Sequence, residues 1–369
     1  TLVTQELRAL GVRVHVGVAA QSITHGDPHD SVTLSDGTVL TADIIVVSTG
    51  VRPDTAFAEA AGIETSRGYI LVDAHGRTSA DDIYAVGDGT IGRDHDRPVA
   101  LAGPANRGGR LIADAIADAH QGRAAARRIP EPQGTAIVRV GGLTAAMTGA
   151  NRATLDGAGT EYFTVHTHAN QHAAYFPGAQ PVHVLMHVGV DGQILGAQAV
   201  GAEGVDRRID VIATAMRAGL KAADLIDLDL AYAPPYGQAK DPVNQTGMVA
   251  HNVLCGQLAL TGPNELTEDM PVLDVRTAAE YAQGHMPNSL NVPHTQLRDR
   301  LGEVRAWVDE EIGDRPFVVM CAAGVRSWIA YRIVRHAGFN VTMLSGGIQT
   351  LRAWLGERAE AVLAAEGDR

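Results

Sequence analysis

The sequence predicts an α/β protein built from several domains. Its 369 residues are more than one domain usually holds, so two or three separate cores are expected. From Val272 onward, short apolar strands alternate with helical patterns, which predicts a small parallel α/β domain. Between Ala136 and Ile226 the strand patterns come first and the helical patterns follow, which predicts an α+β unit. The earlier residues carry short strands, a hairpin signal at Asp36-Gly37 and a helical pattern after Arg110.

Three apolar segments in the first part of the chain are predicted as further strands. Val12–Val18 alternates between outward and inward positions, and Ile44–Val47 is a short run typical of a buried strand. The residues leading to Gly87 form the third segment and deliver a Gly-Asp pair into a loop.

Composition excludes some classes of partner and indicates a compartment. The formal net charge of −12 argues against binding to nucleic acid or to an anionic membrane surface. Cys255 and Cys321 are the only cysteines, so we expect no disulfide framework and a reducing compartment, the cytoplasm. The sequence contains neither a signal peptide nor an apolar run long enough to span a bilayer. It starts at Thr1 without a methionine, and we expect a truncated N-terminus.

The segment around Cys321 is the strongest candidate for chemistry. Phe317–Met320 is predicted as a buried strand, and a helical pattern begins near Arg326. A strand, a tight loop and a helix point backbone N–H groups at one atom, which stabilises a thiolate, and a guanidinium nearby can partner an anion. The alternative is a cysteine that is only a small buried hydrophobic residue. The loop residues between the cysteine and the arginine are Ala322, Ala323, Gly324 and Val325.

Two other segments carry candidate ligand contacts. Gly87 would let the backbone approach a ligand, and Asp88 could accept a hydrogen bond from a sugar or ribitol hydroxyl, although a plain turn is the alternative. Residues 232–249 are predicted as a rigid, irregular loop because they contain three prolines. Within it, Tyr232 and Tyr236 could donate protons to a bound sulfur or carbonyl, or simply pack the turn.

A group of five histidines invites a metal interpretation, which we disfavour. These histidines occupy alternating strand positions without cysteines or regularly spaced carboxylates, and that is not a metal-ligand pattern. They are His166, His168, His172, His183 and His187.

Four separated motifs in the last hundred residues resemble those of rhodanese domains. The resemblance implies that Cys321 carries a sulfane sulfur as a persulfide, that Arg326 is the loop arginine, and that the four loop residues supply amide donors. Four residues separate Cys321 from Arg326, whereas the related phosphatases need one more, and this favours sulfur over phosphate. The motifs are LDVRTAAEY at 273–281, GHMPNSLNVP at 284–293, CAAGVRS at 321–327 and LSGGIQTLRAW at 344–354.

Residues 40–252 resemble the C-terminal half of the FAD-dependent pyridine nucleotide–disulfide oxidoreductases, in particular the coenzyme A-disulfide reductase branch with its rhodanese-fused persulfide reductases. The resemblance implies that Gly87 and Asp88 meet the ribitol of FAD and that Tyr232 lies near the flavin. It also implies that Asn106 faces the coenzyme A substrate and that Tyr236 serves the partner subunit's disulfide site. The motifs are STGVRPDT at 48–55, TSADDIYAVGD at 78–88, ALAGPANRGGR at 100–110 and AYAPPYGQAKDPVN at 231–244.

Together these resemblances imply three domains: part of an FAD/NAD(P)-binding region at 1–125, a dimerisation domain at 133–252 and a rhodanese domain at 265–365. The implied function is NAD(P)H-driven, flavin-dependent reduction of coenzyme A disulfide or persulfide by a homodimer, coupled to sulfur transfer through Cys321. The first flavin motif, the redox cysteine and the GxGxxG motif are expected upstream of Thr1, and Cys255 matches no redox motif. The alternatives are a stand-alone rhodanese sulfurtransferase on a non-flavin dimerisation scaffold and a non-catalytic sulfur-binding protein.

Overall fold

The computed structural model describes residues 1–95, 97–124 and 127–364. The chain divides into two compact units, one formed by residues 14–134 and the other by residues 1–13 together with 135–369. The second unit begins with helix α1 (Leu2–Ala9). Among the described residues, no helix combines the length and the apolar character needed to cross a membrane. The domain boundaries given above stay a prediction, and their end points at 125 and 365 lie outside the described residues.

The unit formed by residues 14–134 contains two small sheets and two helices. The hairpin predicted at Asp36-Gly37 is confirmed, since two antiparallel strands flank this turn and Gly37 has a φ of +85°. The first sheet has the order β1-β2-β3 and the second has the order β4-β5-β6. The strands are β1 (Ala20–Thr24), β2 (Asp30–Leu34), β3 (Val39–Ala42), β4 (Thr65–Ser66), β5 (Tyr69–Val72) and β6 (Thr90–Gly92), and the helices are α2 (Ala56–Ala60) and α3 (Ala102–His120).

Three predicted strands in the first part of the chain are wrong. Val12–Val18 and Ile44–Val47 are not strands, and Ile44 is 81% exposed. The residues before Gly87 form only an isolated bridge between Arg77 and Tyr84. An apolar run becomes a strand only where a neighbouring strand accepts its backbone hydrogen bonds. Within the described residues, these segments have no such neighbour.

The middle of the chain forms a five-stranded antiparallel sheet with helices packed on one face. The sheet has the strand order β7-β8-β11-β10-β9. One face of β10 is fully buried and packs against α6, so this core is shared between sheet and helices. The elements are β7 (Ala136–Val140), β8 (Leu143–Gly149), α4 (Arg152–Gly157), β9 (Tyr162–Asn170), β10 (Pro181–Gly189), β11 (Ile194–Gly201), α5 (Val205–Arg217), a 3₁₀ helix (Ala222–Asp227) and α6 (Pro242–Leu254). The predicted α+β unit is present, with β8 as a strand that was not predicted.

Part of the segment predicted as an irregular loop is helical. Residues 242–249 belong to α6, which begins where Asp241 accepts a hydrogen bond from the Val243 N–H at 3.0 Å. Pro242 occupies the first helical position, where the missing N–H costs no hydrogen bond. The carboxylate of Asp241 also pairs with Arg208 at 2.7 Å, and both side chains are about 97% buried or more. This ion pair fixes the start of α6 against α5.

The last hundred residues form a parallel five-stranded sheet covered on both faces. The order is β12-β16-β15-β13-β14, with all neighbouring pairs parallel. Separate apolar cores lie on the two faces of the sheet, as expected where helices cover a parallel sheet. This confirms the predicted small parallel α/β domain. The elements are β12 (Leu260–Thr261), β13 (Val272–Asp274), α7 (Ala278–Ala282), β14 (Ser289–Asn291), α8 (Leu301–Trp307), β15 (Phe317–Met320), α9 (Val325–His336), β16 (Val341–Leu344), α10 (Gly347–Leu355) and α11 (Ala359–Val362).

The buried ion pair at the start of α6 leads to a stability prediction. Replacing Asp241 with asparagine keeps an acceptor for the helix cap but leaves the Arg208 guanidinium buried without a counter-charge. We expect Asp241→Asn to lower the free energy of unfolding by about 3–5 kcal/mol. The measurement is urea denaturation of the two proteins followed by circular dichroism.

The control is Glu303→Gln, which removes one carboxylate charge from the partly exposed pair with Arg300. This variant should lose about 1 kcal/mol or less, because water screens the pair. Equal losses in the two variants would contradict the importance of burial at Asp241.

Candidate functional site

Cys321 lies at the carboxyl end of a central strand of the parallel sheet. It follows β15 directly, and β15 is flanked by β13 and β16. Its residue surface is only 1% exposed, and it belongs to one of the two apolar cores of the domain. The loop residues after it are partly accessible, and Val325 is 62% exposed. The sulfur is therefore buried beneath the residues of its own loop, which are partly accessible to solvent.

The Cys321 sulfur is surrounded by hydrogen-bonding groups of the loop. The N–H of Gly324 donates to Sγ at 3.2 Å, and the thiol donates to Ser327 Oγ at 3.3 Å. Ser327 in turn donates to the carbonyl of Gly324 at 2.9 Å. Gly324 has a φ of +103°, a conformation that glycine adopts without strain and that turns the chain into α9. The sulfur consequently faces an amide and the first turn of a helix, an arrangement that favours negative charge.

A second helix fixes the backbone of the cysteine loop. At the start of α10, the N–H groups of Ile348 and Gln349 donate to the carbonyls of Cys321 and Ala322 at 2.9 and 3.1 Å. A Cβ on Gly347 would collide with the Cys321 carbonyl, so a glycine is needed for this approach. The loop is thus held between the N-terminal ends of α9 and α10.

Arg326 forms a bidentate ion pair that the sequence did not predict. Its Nη1 and Nη2 donate to Glu280 Oε2 and Oε1 at 2.7 and 2.6 Å. The pKa of Glu280 is lowered to about 2, first because its carboxylate accepts these hydrogen bonds. The pKa of Arg326 is raised, first by the same hydrogen bonds. The guanidinium that was expected to partner an anion in the loop therefore already has an anionic partner from α7.

The available sequence signal for Glu280 is its spacing from Thr277. The two residues form a capping box at the start of α7, in which Thr277 donates its N–H and hydroxyl to Glu280 Oε2 at 3.0 and 2.9 Å. The spacing predicts the cap but not the partner, because Arg326 is 46 residues away.

Two of the five histidines connect the antiparallel sheet to the start of α10. The N–H of His166 donates to Ser345 Oγ at 3.1 Å, and its Nδ1 lies 2.9 Å from the same oxygen. His168 Nε2 lies 2.6 Å from Thr350 Oγ1. Burial lowers the pKa of both imidazoles to about 3. The residues that adjoin the cysteine loop are therefore anchored to the sheet by neutral histidines.

The predicted flavin motif and the start of α3 meet within the first unit. Gly87 has a φ of +96°, and a Cβ built on it would lie 4.0 Å from the Cβ of Ala105. A Cβ on Gly108 would lie 2.8 Å from Val86 Cγ2, so the glycine permits close packing of helix and loop. The motif residue Asp88 and the helix residue Asn106 are exposed. The structure thus brings these predicted contacts to one region of the unit.

The two predicted tyrosines lie in a loop of the second unit. Arg207 holds this loop by donating to the carbonyls of Tyr236 and Ala231 at 2.9 and 2.7 Å. The Tyr236 residue surface is 73% exposed. A hydrogen bond with Tyr232 raises the pKa of Tyr175, a residue that no sequence motif singles out. The arrangement presents two phenol groups to solvent on a braced backbone.

Three family models match the chain and account for most of it. Residues 1–119 match the pyridine nucleotide-disulphide oxidoreductase model, and residues 135–242 match the dimerisation domain of the same family. Residues 262–353 match the rhodanese-like domain. These matches confirm the predicted family and fold class.

Proteins of known sequence or structure are similar to large parts of this chain. Coenzyme A disulfide reductase of Staphylococcus aureus is 34% identical over 229 residues, which are 60% of this chain and 50% of that protein. The reduced CoADR-RHD of Bacillus anthracis is 34% identical with a TM-score of 0.87, over 97% of this chain and 63% of that one. An NAD-dependent persulfide reductase from A. fulgidus is 36% identical with a TM-score of 0.84, over 95% and 63%. The chain spans about half the length of the curated relatives it matches.

The neutral buried histidines lead to a prediction about pH. Between the ordinary histidine pKa of 6.5 and about 3, the unfolded chain binds protons at His166 and His168 that the folded protein does not bind. The free energy of unfolding should therefore fall as the pH falls through this window, by at most about 1.4 kcal/mol per pH unit for each histidine. Replacing both with glutamine should flatten the dependence, as measured by urea denaturation at a series of pH values. The exposed His336→Gln is the control, and an unchanged slope in the double variant would contradict the prediction.

Proposed function

Because the chain belongs to the pyridine nucleotide-disulphide oxidoreductase family and carries a rhodanese-like domain, we propose that Cys321 accepts a sulfane sulfur within a NAD(P)H-driven reductase of coenzyme A disulfide or persulfide. The observation that supports the proposal is the environment of the Cys321 sulfur, where the Gly324 N–H, the Ser327 hydroxyl and the start of α9 meet. Similarity to a coenzyme A disulfide reductase and to an NAD-dependent persulfide reductase supports the reductase over a stand-alone sulfurtransferase.

The transfer at Cys321 is a thiolate exchange on a persulfide donor. The Cys321 thiolate attacks the outer sulfur of R–S–SH, the S–S bond of the donor breaks, and the electron pair leaves with R–S⁻. The product is Cys321–S–SH, and no external oxidant or reductant is needed. We assign the amide groups of Ala322, Ala323, Gly324 and Val325 as donors to the sulfur that is transferred, and the hydrogen bond from the Gly324 N–H to Sγ supports this assignment.

Ser327 can follow the change of charge at the sulfur. In the thiol state its hydroxyl accepts from Cys321 and donates to the Gly324 carbonyl at 2.9 Å. When the sulfur is a thiolate, rotation of the hydroxyl lets the same group donate to Sγ instead. Burial of the site keeps water from replacing this hydrogen bond.

The residues of the first unit fit a flavin. Gly87 takes a positive φ beside the start of α3, and no side chain of its own blocks a ligand there. Asp88 would accept a hydrogen bond from the ribitol of FAD, and Asn106 would contact coenzyme A. FAD supplies two-electron transfer from NAD(P)H when it is bound.

Tyr236 is assigned a proton-transfer role in a homodimer. Its exposed phenol, on a loop braced by Arg207, could donate a proton to the coenzyme A thiolate that leaves at the disulfide site of a second copy. The match to a dimerisation domain supports this arrangement. Both cysteines are free thiols, which supports a reducing compartment, the cytoplasm.

The sulfur-carrier role predicts a specific covalent product. After treatment with a persulfide donor, mass spectrometry of the intact protein should show one added sulfur atom, and peptide mapping should place it on Cys321. Cys321→Ser should lose this product, whereas Cys255→Ser, which removes the exposed cysteine, should retain it. Persulfide on Cys255 alone would exclude the proposed carrier.

The reductase role predicts a flavin spectrum and a dependent activity. Protein purified from its own gene should show flavin absorbance and reduce coenzyme A persulfide or disulfide with NAD(P)H. Asp88→Ala should release flavin by removing an acceptor of a ribitol hydroxyl, and Asp43→Ala, which changes an exposed aspartate outside the quoted motifs, is the control. Absence of both flavin and NAD(P)H-dependent turnover in the unmodified protein would refute the reductase.

A further inference from the structure

We propose that Glu280 determines which sulfur donors reach Cys321, by neutralising Arg326 and so disfavouring dianionic donors such as thiosulfate relative to persulfides. Glu280 is a positioning residue in this proposal, because it acts through Arg326 and not on the donor itself. The inference rests on the sulfur-carrier function of Cys321 proposed above.

Arg326 and Glu280 form a bidentate ion pair. Both terminal nitrogens of Arg326 donate to the two carboxylate oxygens of Glu280 at 2.6–2.7 Å. A bidentate pair of this kind is strong and fixes the plane of the guanidinium. Two of the five N–H donors of Arg326 are thus engaged with a protein carboxylate, whose negative charge neutralises that of the guanidinium.

Hydrogen bonds from Thr277 and Arg276 hold Glu280 in place when a sulfur donor arrives. Thr277 donates its N–H and its hydroxyl to Glu280 Oε2. Arg276 donates from Nη1 to the backbone carbonyl of Glu280 at 2.8 Å. A donor anion would have to compete for Arg326 with a carboxylate that accepts four hydrogen bonds, two from Thr277 and two from Arg326.

Two ion pairs contribute charge near the cysteine loop. Asp274 is fully buried at the end of β13 and is paired with Arg276, which donates to it from Nε at 3.0 Å and from Nη2 at 2.6 Å. Arg326 is the only cationic residue in the loop sequence 321–327. Arg326 pairs with Glu280 and Arg276 pairs with Asp274, so each of the two pairs has zero net charge. The reacting Cys321 thiolate then adds one negative charge.

Thiosulfate and persulfide donors bring different charges to the Cys321 thiolate. Thiosulfate transfers sulfur as a dianion, with Cys321–S⁻ and S₂O₃²⁻ giving Cys321–S–S⁻ and SO₃²⁻. A persulfide transfers it from the neutral R–S–SH, with R–S⁻ as the leaving group. The dianion is repelled by the thiolate, and Glu280 neutralises the Arg326 charge that would offset this repulsion, whereas the neutral persulfide is not repelled. The ion pair therefore selects for persulfide donors.

The test is the donor preference of Glu280→Gln. Glutamine keeps an acceptor for Thr277 and so preserves the capping box, but it removes the charge that compensates Arg326. Rates of sulfur loading on Cys321 are measured for thiosulfate and for the persulfide of 2-mercaptoethanol, with cyanide as the acceptor in both cases. We expect the ratio of kcat/KM for thiosulfate to that for the persulfide to rise by about tenfold. The rise should shrink at high ionic strength.

Two further variants separate this role from a structural one. Glu303→Gln removes a carboxylate from a similar bidentate pair with Arg300 in α8, and it should leave the ratio unchanged. In the double variant Glu280→Gln with Arg326→Gln, the gain for thiosulfate should disappear, because the uncovered cation is gone.

The possible outcomes distinguish the two proposals. A parallel fall for both donors in Glu280→Gln, with the ratio unchanged, would overturn the role of Glu280 but leave the carrier function intact. A wild-type protein that prefers thiosulfate would also overturn it. Absence of sulfur on Cys321 with either donor would instead refute the carrier function itself.

Discussion

The hydrogen bond from the Ile348 N–H to the Cys321 carbonyl joins the end of the central strand to helix α10. It requires close contact between two backbone segments, and Gly347 permits that contact because any side chain there would meet the carbonyl. The other arm of the loop turns at Gly324 into α9. The position of the sulfur, its amide donor and its burial all depend on this double attachment.

The same attachment extends beyond the parallel sheet. Ser345 and Thr350, on either side of the first turn of α10, contact His166 and His168 of the antiparallel sheet. These contacts are hydrogen bonds with uncharged hydroxyl groups, and burial lowers the pKa of both imidazoles to about 3, which favours their neutral form. The charged groups lie instead at the cysteine loop, where Arg326 pairs with Glu280.

Features that depend on neighbouring residues are predictable from the sequence, whereas features that depend on contacts between distant residues are not. The loop from Cys321 to Ser327 was predictable because its residues are contiguous and their spacing defines the turn. Glu280 was not predicted as a site residue, because its contact with Arg326 depends on β13 lying beside β15. Val12–Val18 and Ile44–Val47 were predicted as strands from local pattern alone, yet a strand also needs a neighbour. The start of α6 was missed because Pro242 was taken to break a helix that it begins.

By itself, the sequence determined the fold class, the hairpin at Asp36-Gly37 and the identity of the cysteine loop, since turn chemistry and short-range periodicity are encoded locally. The tertiary structure decided which side chains meet at that loop. Parallel strands that are far apart in sequence end at the same edge of a sheet, so α7 delivers Glu280 to Arg326 across 46 residues. The charge of the site is therefore a property of strand order, which no local pattern contains.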